Sequence, residues 1–177
     1  LTSFDAKPGD CLIAAIDHRG AYREPFSNWQ AAIDAPPERL RGDLEILPDL
    51  AERGLVHAAK DISQGGLIGT AVMLAECSSV GLEIDLTQIP VPPAVPLERW
   101  LQSFPSYGFL LSVSQANADD VIAAFVSRGI VAADIGRVKA GSQVAINDHR
   151  QRAVVFDFGV EALMELGRTT RTGMEVG

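Results

Sequence analysis

Residues 10–17 read DCLIAAID, an unbroken apolar run framed by two aspartates and preceded by Pro8 and Gly9. A strand with one wet face alternates apolar and polar side chains, and this run does not alternate. It therefore reads as a strand buried on both faces, which obliges the rest of the chain to cover a sheet from two sides.

The remaining segments supply such covers. Residues 34–38 open a helix whose apolar positions Leu40, Leu44, Leu47 and Ala51 fall on one face, with Gly54 as its stop and Pro48 as a kink or restart. A second strand over residues 56–62 leads through Ser63, as N-cap, into a helix over 65–79 that is apolar nearly all round and so centrally buried. Residues 81–86 give a third strand, residues 89–96 a stiff proline-rich connection, and residues 97–104 a short helix. A fourth strand (108–114), an amphipathic helix (116–128) with Val121, Ile122, Phe125 and Val126 inward, and a fifth strand (130–138) follow. The pairs 143–146 and 153–156 form a closing hairpin through Asn147, Asp148, His149 and Arg150. A short helix near 160–166 precedes a loose tail over 167–177. The expected fold is α+β, an α/β sandwich in which helices cover a mixed β-sheet in one domain over residues 1–166.

Composition excludes several functions. The net charge of −8 and the lack of a Lys/Arg stripe argue against a nucleic-acid surface. The longest apolar stretch, near residues 67–75, is far short of a bilayer span of roughly 20 residues. Cys11 and Cys77 lie in apolar runs with no CxxC or Cys/His spacing, so they read as buried thiols of a reducing, cytoplasmic compartment rather than metal ligands. His57 reads as a core histidine, and His149 as a turn residue without a partner. Residues 1–7 have neither an initiator Met nor a signal-peptide layout, so the chain reads as the later part of a longer protein.

The strongest chemical signal is KDISQGGL at residues 60–67. A helix that opens at Ser63, Gly65 and Gly66 leaves free N–H groups and a positive dipole end, and glycines let a ligand approach the backbone. Asp61 could hold Mg²⁺, orient an amine or accept a proton. The alternative is that Ser63 only caps and that the glycines only permit close helix packing.

In order along the chain come KPGD and an apolar strand (7–16), AAKDISQGGL (58–67), VGLEIDL (80–86), a turn with Phe104, Ser106 and Gly108 before FLLSV, and IGRV (135–138). Over roughly residues 5–160 this order resembles the C-terminal domain of the AIR synthase superfamily. Its members include AIR synthase, formylglycinamidine ribonucleotide synthase, selenophosphate synthetase, thiamine monophosphate kinase and a hydrogenase-maturation protein.

The resemblance implies an ATP- and Mg²⁺-using reaction in the full-length protein, in which an oxygen is phosphorylated or a phosphate transferred. It also implies an N-terminal domain that supplies the nucleotide and metal ligands and a homodimer interface, while this domain closes over a small-molecule substrate. On that reading the chain alone is inert and binds no cofactor tightly. Asp61 is the implied catalytic residue, with Lys60, Ser63, Gly65, Gly66, Arg19, Arg23, Asn28 and Ser106 as phosphate or substrate contacts.

Two departures separate the chain from AIR synthase itself. Lys60-Asp61 stands where the formylglycinamide ribonucleotide enzyme has His-Asp, and Asp61 precedes Ile62-Ser63 where AIR synthase has a His before Ile-Thr; Lys60 favours electrostatic grip over proton transfer at its position. Residues 18–29 replace that family's Ser-Gly-x-His-Ser-Asn-Gly stretch, with only Ser27 and Asn28 similar. The new loop carries Arg19, Arg23 and large aromatics, a composition suited to an anionic or planar ligand, or else a solvent loop with Trp29 packed on the core. The alternative from another class is a non-catalytic assembly or binding domain that retains the fold.

Overall fold

A computed structural model describes residues 1–164 of the chain. At its centre is β1 (Cys11–Ile16), buried along its whole length as the apolar run requires. It pairs antiparallel with β7 (Gly108–Val113) on one side and with β8 (Val131–Lys139) on the other. The sheet extends beyond β7 to β4 (Ala58–Asp61), and beyond β8 to β5 (Gly81–Asp85), β9 (Gln143–Asn147) and β10 (Arg152–Asp157). Its seven strands are mixed, because β5 and β9 run parallel. The expected α+β sandwich with a mixed sheet is the observed fold.

The alternation of a strand decides which cover each β1 residue meets. Leu12, Ala14 and Ile16 pack with Leu67, Ala71 and Leu74 of α3 (Gly66–Ser78). Cys11, Ile13 and Ala15 pack with Ile46 and Leu50 of α2 (Ile46–Glu52) and with Val121 and Phe125 of α5 (Ala118–Val126). Burying one such aliphatic or aromatic side chain contributes about 1.5–3 kcal/mol. The proline-rich connection lies packed rather than free, since Trp100 Nε1 donates to the Pro90 carbonyl at 2.9 Å.

Several local expectations are corrected. The first helix is two, α1 (Pro37–Leu44) and α2, because the chain restarts at Glu45, ahead of Pro48. The restart resets the helical phase, so Leu44 is exposed while Ile46 and Leu50 point inward. Val126 is also exposed, at the C-terminal end of α5. The helix expected over 97–104 stops early as α4 (Leu97–Leu101). Phe104 and Pro105 then form β6, which joins β2 (Ala21–Tyr22) and β3 (Asn28–Gln30) in a small three-stranded sheet where a loop was expected. Residues 160 and 161 form a turn on the Asp157 carbonyl rather than a helix. The expected tail lies outside the described residues.

Candidate functional site

The small sheet and the start of α3 face each other across a cleft of about 900 Å³. Arg23, Asn28, Gln30 and Phe26 form one wall, Gln64 and Gly65 another, with Gln102 and Phe104 between them. This brings together Arg23 and Asn28 of the loop and Gly65 of the strand-to-helix turn, residues far apart in sequence.

The turn itself differs from a capped helix start. Ser63 was expected to cap α3, yet its side chain caps nothing: its carbonyl accepts the Gly66 N–H at 2.9 Å and Gly65 occupies the N-cap position. Gly66 has φ +65°, and a side chain there would collide with the Leu101 carbonyl and Gln102 of α4. A left-handed residue in a tight helix contact accounts for this glycine by geometry alone. The first-turn N–H groups of Leu67 and Ile68 have no acceptor among the described residues, so the helix start keeps free donors.

Lys60 and Asp61 sit elsewhere. They line a separate cavity with Leu47, Pro48, Ala51 and Phe109, on the α2 side of the sheet edge. Asp61 is exposed and 3.6 Å from Lys60 Nζ. The N-terminal segment closes over this edge, where the Ala59 N–H donates to the Thr2 carbonyl at 2.9 Å.

Arg19 and Ser106 are engaged internally. Ser106 Oγ accepts the Ala31 N–H at 2.9 Å, which ties the loop to the β6–β7 turn. Arg19 donates through Nε to Asp17 Oδ1 at 2.8 Å and through Nη2 to Asp43 Oδ2 at 2.9 Å. Its bond to Asp17 is the main cause that raises its pKa further above the ordinary arginine value. Arg39 and Arg128 complete the cluster, Arg39 Nη2 reaching Asp17 Oδ2 at 3.2 Å and Arg128 Nε reaching Asp43 Oδ1 at 3.1 Å. Asp17 and Asp43 are almost wholly buried. Two buried carboxylates thus fix three guanidinium groups, and through them join β1, α1 and the end of α5 to the loop.

An aromatic bracket carries the other side of the loop. Trp29 is buried, donates Nε1 to the Asp17 carbonyl at 3.0 Å, and meets Tyr22 and Trp100 edge-on with ring centroids 5.2 and 5.4 Å away. His18 packs edge-on to Trp100 at 5.3 Å, and burial is the main cause that lowers its pKa below the ordinary imidazole value. Arg99 stacks over Tyr22 at 3.6 Å and pairs with Glu24 at 2.8 Å. Arg23, by contrast, is exposed and makes no ion pair among the described residues.

Sequence reading missed Gln64, Gln102, Arg39, Asp43 and Arg128. Gln64 lies within the KDISQGGL motif, and the Arg39–Asp43 spacing of one helical turn carries a signal because an i,i+4 pair on a helix is neighbourly. The others are set by tertiary contacts. His57 is a partnered histidine, its Nδ1 lying 2.8 Å from the buried Asp10. Asp10 also accepts the Ser112 hydroxyl at 2.5 Å, so it stands between Ser112 and His57 and the three do not form a Ser-His-Asp relay. No group of three or more potential metal ligands occurs among the described residues, and none of their helices is long and apolar enough to cross a membrane.

Comparison with known proteins places these features in a family. The family model described as AIR synthase related protein, C-terminal domain, matches residues 8–149. An uncharacterized protein of Synechocystis sp. is 43% identical over 148 residues, which are 82% of this chain and 46% of that protein. An uncharacterized protein of Methanocaldococcus jannaschii is 35% identical over 162 residues, 91% of this chain and 50% of that protein. The chain therefore spans about half the length of these curated relatives. Among solved structures, Thermotoga maritima PurL complexed with ATP superposes with a TM-score of 0.70 at 16% identity, covering 92% of this chain and 27% of that one. The hydrogenase maturation protein HypE in complex with ATP gives 0.65 at 19% identity, with 88% and 52% covered. At these identities the structural likeness speaks for the fold.

Proposed function

The chain belongs to the AIR synthase related family, as a C-terminal domain, and from that premise we propose that it forms the substrate- or phosphate-binding wall of an ATP-dependent enzyme. The observation that carries this reading is the meeting of Arg23 and Asn28 with Gln64 and Gly65 around one cleft. The parts suit an anionic ligand that bears polar planar groups. Arg23 offers an unpaired guanidinium and Gln64 a carboxamide without a partner among the described residues, while Asn28 and Gln102, whose amide nitrogens donate to the Phe104 and Glu98 carbonyls, keep their side-chain oxygens as acceptors.

The wall brings little proton chemistry of its own. Glu24 is the one carboxylate that lines the cleft, and Arg99 neutralises it. Asp61 remains a candidate for catalysis only if a ligand or another part of the full-length protein reaches the sheet edge. Nucleotide and Mg²⁺ ligands are therefore assigned to the N-terminal half, which this domain would close upon, in a homodimer of the kind the superfamily resemblance implies. PurL and HypE have both been solved with ATP, which supports the choice of nucleotide.

Calorimetry on the full-length protein tests this reading. Saturable binding of ATP in the presence of Mg²⁺ is the expected result, and its absence sinks the ATP-dependent part. The same scarcity of acid–base groups favours a second reading, a binding or assembly domain that keeps the fold without chemistry. A full-length protein that binds no nucleotide yet holds a stable protein partner would establish that alternative.

A further inference from the structure

Beside the cleft lies a second cavity of about 340 Å³, lined by Arg19, Arg23 and Arg39 and sharing Arg23, Gln30 and Ile33 with the cleft. We propose that this arginine pocket is an anion subsite that takes a phosphate or carboxylate group, whether or not the cleft beside it is a substrate wall.

The Asp17 and Asp43 side chains are 3% exposed, whereas those of Arg19, Arg39 and Arg128 are 34%, 22% and 39% exposed. The acids are inside and the cations face out, so a solute meets positive charge on a protein whose net charge is −8. Two carboxylates balance two of the three clustered guanidinium groups, and Arg23 adds a further unpaired one at the shared edge. Asp34 is the carboxylate among the lining residues; it is exposed, and it pairs with no described cation.

Preorganisation strengthens the case. A free arginine loses rotamer freedom when it grips an anion, but Arg19 and Arg39 are already held by the buried acids. Arg39 binds the Ala31 carbonyl and Asp17 through Nη2, and no acceptor among the described residues takes its Nη1 protons. Such a rigid fork with spare donors matches the oxygens of a phosphate or carboxylate. Arg41 and Arg53, paired on exposed helix faces, have no such backing.

Side-chain NMR tests the subsite. Inorganic phosphate is titrated into the protein with Arg Nε–Hε and Gln and Asn side-chain amides observed, against chloride at matched ionic strength. The expected result is a saturable shift of Arg23 and Arg39 with phosphate alone, with an apparent Kd that rises about fivefold or more in Arg23→Gln. The Arg23 side chain has no intramolecular partner among the described residues and its backbone bonds to Asn28 and Phe26 do not depend on it, so this variant folds as the parent does. Glycerol 3-phosphate then identifies the source of the anion. Tighter binding with added shifts at Gln30 and Asn28 assigns an organic ligand that extends into the cleft, and equal binding assigns a free oxyanion. A phosphate response no larger than chloride's, one spread over Arg53, Arg137 and Arg152, or one unchanged in Arg23→Gln overturns the proposal.

Discussion

The β1 strand and the loop that leaves it are adjacent in sequence and held by opposite physics. Residues 11–16 are fixed by apolar packing on both faces, with no polar side chain among them. Residues 17–31 are fixed by directional contacts: buried Asp17 and Asp43 on three arginines, Trp29 on the Asp17 carbonyl, and Ser106 on the Ala31 amide. Packing tolerates many sequences of similar volume, whereas a polar clamp depends on each partner. The framework is thus the part that tolerates substitution, and the loop with the cleft wall it carries is the part that depends on each named partner.

One substitution on each side separates apolar packing from the polar clamp. Leu12→Ala takes a fully buried side chain from the core and is expected to lower stability by about 2–5 kcal/mol through lost packing and a cavity. Asp43→Ala leaves Arg19, Arg39 and Arg128 without their shared acid and is expected to lower it by about 3–5 kcal/mol. Denaturant unfolding measures both losses. Amide exchange separates them, since only Asp43→Ala should speed exchange selectively in residues 18–35.

Gly66→Ala probes the place where the two regions meet. The φ of +65° carries a penalty of about 1–2 kcal/mol for a residue with a side chain, and the added methyl collides with Leu101 and Gln102. A loss of about 2 kcal/mol or more in thermal or denaturant stability is expected. An unchanged stability would mean that α4 does not pack there.

The smallest effect is set by pH. His18 has a folded pKa below the ordinary value of 6.5, chiefly because it is buried, so the unfolded chain takes up its proton first as pH falls. Stability from this group is present above about pH 6.5 and is lost as pH drops from there through the lowered folded value. A His18→Gln variant should flatten that part of the stability profile, which thermal melts between pH 5 and pH 8 would show.

Legibility in the sequence followed the same division. The β1 run, the all-round apolar α3 and the β9–β10 hairpin could be read because each is specified by its own residues. A periodic count turns Leu44 and Val126 inward, but a helix restart and a helix end change which face is covered and leave both exposed. The three strands of the small sheet are two or three residues each, too short for any period, and depend on pairing Asn28 with Phe104 across a long separation. Gly65 of the motif borders the cleft while Gly66 is fixed by its contact with Leu101 and Gln102, and the separation of both from Lys60 and Asp61 is not visible in the motif. Lys60 and Asp61 stay at the sheet edge beside α2, and the chain turns between Ser63 and Gly66 before α3 begins.

Hydrogen–deuterium exchange on the full-length protein, with and without saturating ATP and Mg²⁺, reads directly whether this domain closes through its cleft on nucleotide held by the N-terminal half. Closure slows exchange in residues 23–33 and 63–69 together and leaves the β1 core unchanged. Protection confined to other segments, or ATP binding that leaves both of these stretches as they were, would contradict it.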